Sequence, residues 1–111
     1  MSDENPVVVL RSAVETALRQ VLEAGSEPDP CAMINQAMVD FAIRVAAVQR
    51  ELALVAEQDP LGDVASARQH LGVAFGHFSN GLTAEGRAEL ITARALLTGS
   101  DEPTYSHEWS L

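Results

Sequence analysis

Cys31, His70 and His77 are the side chains of this 111-residue chain whose chemistry could reach beyond packing. The two histidines are seven residues apart on one expected helix, so they share a side but stand roughly 10 Å apart along the axis. One metal ion cannot be held by both, because helical zinc pairs use spacings of three to five residues, and no other Cys or His completes such a set. Both are expected on the side opposite Leu71 and Phe75, beside Ser66 and Gln69, facing solvent or an interface. Cys31 falls in the first turn of a helix, a place that favours reactive thiolates. It has no histidine near it in sequence, so the reading is a small buried apolar residue. Glu85 and Glu89 have nothing nearby to desolvate them and suit a solvated helix face better than acid–base work. With no phosphate loop and no metal signature, the sequence predicts no catalytic residue, no cofactor and no metal.

Two runs carry resemblances. His77-Phe78-Ser79-Asn80-Gly81 resembles the phosphorylated His-x-x-Lys-Gly of histidine phosphotransfer domains, which are small four-helix bundles, and this implies phosphoryl transfer on His77. Asn80 stands where that family has lysine, and Asn80-Gly81 reads as a helix stop. Leu71-Gly72-Val73-Ala74-Phe75 with Ala88 and Ala95 resembles fragments of one tetratricopeptide unit. The helices are spaced about four residues too far apart and no second unit follows, so a lone helical hairpin is expected. Gly72 and Gly76 each weaken their helix by ~1 kcal/mol, and close helix contact is the packing reason expected for them.

The elements that must position these residues are helices. Asn5 can cap the first and Pro6 opens it, with Gly25 as its end. Its apolar stripe runs through Leu10, Val14, Leu18 and Val21, and Glu15 can pair with Arg19 on the other side. Asp29 and Pro30 repeat the start signal for a long second helix. There Ile34, Met38, Phe41, Val45, Val48, Leu52 and Val55 recur at steps of four and three, an unbroken heptad-type seam over roughly 40 Å. A second apolar line, with Val39, Ile43 and Leu54, lies about 180° away at ~100° per residue. A helix apolar on two opposite sides is normally covered on both, so this one is expected to be central, with its outer side at a dimer or partner interface. Asp63 can cap a third helix and Thr83 a fourth, with Gly99 as the last stop.

The expected fold is therefore all-α: a four-helix, bundle-like single domain over 1–99, with helices at about 6–24, 30–57, 63–79 and 83–98 and a long central second helix. Residues 100–111 form an acidic tail that holds the only tyrosine and tryptophan, Tyr105 and Trp109, both of anchoring type at interfaces.

Sixteen acids stand against seven arginines and no lysine, a net charge of −9. That disfavours direct binding to nucleic acid and leaves a basic protein surface as the natural partner. No stretch approaches the ~20 apolar residues that cross a bilayer, the start is acidic, and one cysteine makes no internal disulfide, so a cytoplasmic protein is expected. The lack of lysine beside abundant Ala, Val and Arg suits a bacterial or phage origin. The functional expectation is a non-enzymatic protein–protein interaction module, an adaptor, regulator or inhibitor that forms a homodimer. The alternatives are a phosphotransfer-like or other small enzyme using His77 or His70, and a small-ligand sensor with a pocket near Met38, Phe41 and Phe75.

Overall fold

The computed structural model describes residues 5–101, and over them the chain is all-α, with no strand among the described residues. Five helices follow in order: α1 Pro6–Ala24, α2 Pro30–Ala46, α3 Gln49–Gln58, α4 Asp63–Ser79 and α5 Thr83–Asp101. The starts of α1 and α2 follow their local chemistry. The Val7 N–H donates to Asn5 Oδ1 at 2.8 Å and the Ala32 N–H to Asp29 Oδ1 at 3.3 Å, with Pro6 and Pro30 in the first turns. The Asn80-Gly81 stop is a Schellman motif. Gly81 has φ +78°, its N–H donates to Phe78 O at 3.1 Å, and the Leu82 N–H donates to His77 O at 2.8 Å.

Three expected boundaries shift. Asp63 and Thr83 are the first residues of α4 and α5 rather than their caps. Gly99 does not end the last helix, which continues to Asp101. Glu15 and Arg19 close no ion pair across their turn.

The larger correction concerns the second helix. It is not one rod but two helices, α2 and α3, with axes bent by 77°. Val48, at φ −115° and ψ 10°, leaves helical geometry; its N–H reaches back to Val45 O at 3.0 Å, and the Leu52 N–H begins α3 on Val48 O at 2.9 Å. No proline or glycine marks the break, so its cause is tertiary. A heptad seam drifts ~20° per repeat around a straight helix, and the bend keeps the seam on the core. Ile34, Phe41, Val45 and Leu52 are all buried, with Met38, Val48 and Val55 packed against them. Ala46, Ala47 and Gln49 are exposed, so water reaches the backbone groups the break releases.

The central helix is α1, which packs against α2, α3 and α5. It buries Leu10, Val14, Leu18 and Val21 together with Ala13, Ala17 and Ala24, and the alanines let its neighbours approach closely. α4 and α5 form a second hairpin through Leu71, Ala74, Phe78, Leu90, Ala93 and Leu97. At their crossing a methyl group on Gly86 would meet the Phe78 ring at 2.5 Å, so Gly86 is the glycine that permits close helix contact. Gly72 and Gly76, expected in that role, have no atom within 4 Å of such a methyl.

The bend has a direct measure, because Cys31 is exposed and is the chain's only cysteine. Spin labels on Cys31 and on Gln58→Cys should lie about 32 Å apart, against about 40 Å for an unbroken helix at 1.5 Å rise per residue. A distance at the longer value would restore the single rod.

Candidate functional site

Bending the chain at Val48 opens an apolar groove of about 400 Å³ between α2, α3 and α4. Its floor is core: Leu10 of α1, Phe41 and Val45 of α2, Leu52 of α3 and Leu71 of α4 are all buried. Phe75, half-buried, meets Phe41 edge to face with ring centroids 5.1 Å apart, a geometry worth ~1 kcal/mol beyond the area it buries. The walls are small, with exposed Ala42 and Ala46 on one side and exposed Gly72 on the other. Gln49 and Arg68 supply the only polar side chains in the lining. Arg68 is half-buried and has no hydrogen bond or ion pair among the described residues.

This lining suits a bulky apolar or aromatic group with an anion beside it. Among the described residues its lining holds no thiol, hydroxyl, imidazole or carboxylate.

The sequence-predicted residues fall elsewhere. Val39 and Ile43 lie one turn apart on the outer side of α2 and are 51% and 68% exposed. Leu54 is 50% exposed on α3, and the bend carries it away from the other two. The second apolar line is therefore exposed among the described residues and interrupted, where the straight helix had made it continuous. At ~100° per residue, Ala42, Ala46, Val39 and Ile43 follow one another around α2, so the exposed strip continues out of the groove wall. Tyr105 and Trp109 lie outside the described residues. Phe41 and Phe75 meet in the groove, whereas Met38 packs against the core and does not line it.

His70 and His77 sit on the other side of α4 from the groove. His70 Nδ1 lies 2.5 Å from Glu89 Oε1, tying α4 to α5, so Glu89 is not the solvated carboxylate expected of it. Cys31 is exposed rather than buried. Among the described residues no three His, Cys, Asp or Glu gather as a metal site, and no single helix is long and apolar enough to cross a membrane. Asp40 accepts from Gln20 Nε2 at 3.3 Å and from Gln36 Nε2 at 3.0 Å, which joins α1 to α2.

Sequence reasoning missed Arg68, Gly72, Ala42, Ala46 and Gln49. Arg68 and Gly72 are four residues apart beside the Leu71–Phe75 stripe, which places them on one flank of that helix. Nothing local says that the flank faces a gap. Comparison with protein-family models, curated proteins and solved structures finds no match to the chain.

Proposed function

We propose that the protein is a non-enzymatic, cytoplasmic protein–protein interaction module that engages a basic partner surface along the outer side of α2. The observation that carries this is an exposed apolar strip, Val39 and Ile43, on a chain of net charge −9, whose Glu15, Glu23, Glu27, Glu51, Glu57 and Glu85 are exposed with no ion pair among the described residues. Unneutralised surface acids steer a cationic partner, and an apolar strip supplies the buried centre an interface needs. The same strip would serve a second copy as a homodimer interface once salt screens the −9 charge of each chain. The groove is open to a partner side chain from the same side, since the strip continues into its wall through Ala42 and Ala46.

The test is titration of a purified partner, first captured at low salt. Binding should weaken as salt rises and fall at least tenfold in Val39→Ser/Ile43→Ser. If the chain stays a strict monomer by light scattering and retains no protein partner at low salt, the proposal fails.

A further inference from the structure

We propose that the chain's own tail docks in the groove, with the Trp109 indole on the floor formed by Leu10, Phe41, Leu52 and Leu71 and with Glu108 beside Arg68. Three observations meet here. The groove is a bulky apolar vacancy of about 400 Å³ that no described residue covers. Its one cation, Arg68, has no partner among the described residues, and the sequence places an acid directly before its only tryptophan. Gly72 leaves the wall open, with no atom within 4 Å of where a methyl group would stand.

The reach is sufficient. α4 and α5 run antiparallel, with His70 against Glu89 and Phe78 against Gly86. The end of α5 therefore lies about 15 Å along the axis from the level of Arg68, at 1.5 Å per residue. Eight residues separate Asp101 from Trp109, and an extended chain of that length spans about 26 Å. That covers the axial distance and the passage around a helix of about 10 Å diameter. Tyr105, four residues from Asp101, reaches only the rim. The tail also suits the site chemically: a tryptophan carries a large apolar area on few rotatable bonds, so seating it costs little entropy.

The self-contact does not depend on the partner proposed above. Its regulatory consequence does rest on that reading: a partner side chain entering the groove from the outer side of α2 must first displace Trp109.

Trp109 is the only tryptophan, so intrinsic fluorescence reports this residue alone. In the full chain its emission should be blue-shifted, and acrylamide should quench it several-fold less than it quenches a peptide of residues 100–111. Ala42→Glu, at an exposed groove-wall position compatible with helix, should return quenching to the peptide value while far-ultraviolet circular dichroism stays unchanged. Quenching equal to the peptide in the unsubstituted chain, or protection that survives Ala42→Glu, overturns the proposal. So does protection that appears only as concentration rises, which would assign the groove to a second copy's tail. None of these results touches the salt dependence of partner binding, so the two readings fail separately.

Discussion

Leu10→Ala should lower the unfolding free energy by about 2–5 kcal/mol, the range for emptying a buried leucine site. Leu10 is 1% exposed and stands where α1 meets Phe41, Leu52 and Leu71 beneath the groove. A domain of this size holds about 5–15 kcal/mol in all, so this substitution removes a large share of it. Ile43→Ala is the necessary companion. The larger side chain is lost there too, yet Ile43 is 68% exposed, and surface changes of this kind stay within about 0.5 kcal/mol. Urea titration of both variants at two protein concentrations checks the pair. A core-sized cost at Ile43 would mean that the outer side of α2 is buried in solution by another chain.

Gly86→Val should destabilise the protein by about 1–3 kcal/mol, although valine forms helix better than glycine. The added carbons meet the Phe78 ring across the α4–α5 crossing and force the two helices apart. Gly72→Ala and Gly76→Ala should each stabilise it by about 1 kcal/mol, because the methyl group enters open space and the helix gains propensity. Thermal unfolding of the three variants separates the cases by sign alone. Destabilisation at Gly72 would mean that another backbone lies against α4.

These contrasts show how much was legible beforehand. The buried seam from Ile34 to Val55 was readable, because burial repeats with the helix and survives the bend. The bend was not, since Ala47 and Val48 carry no breaking signal and only the positions of α1 and α4 make it worthwhile. Periodicity identified Val39, Ile43 and Leu54 as apolar, but an apolar pattern says nothing about whether a neighbour arrives to cover it. The same gap explains the glycines: one sequence signature served Gly76, which faces nothing, and could equally have served Gly86, which faces a ring. His70 and Glu89 are 19 residues apart, and only the α4–α5 hairpin brings them together.

α3 buries a single residue fully, Leu52, and is joined to α2 through two residues outside either helix, Ala47 and Val48. The hydrogen-bond ladder of a continuous helix would run from Pro30 to Gln58; here it is interrupted, so α3 is held to the rest of the fold mainly by Leu52. Elements with few buried contacts open first and at small free-energy cost. Leu52 is therefore the least anchored part of the groove floor, and amide hydrogen exchange should be faster across Gln49–Gln58 than across α1.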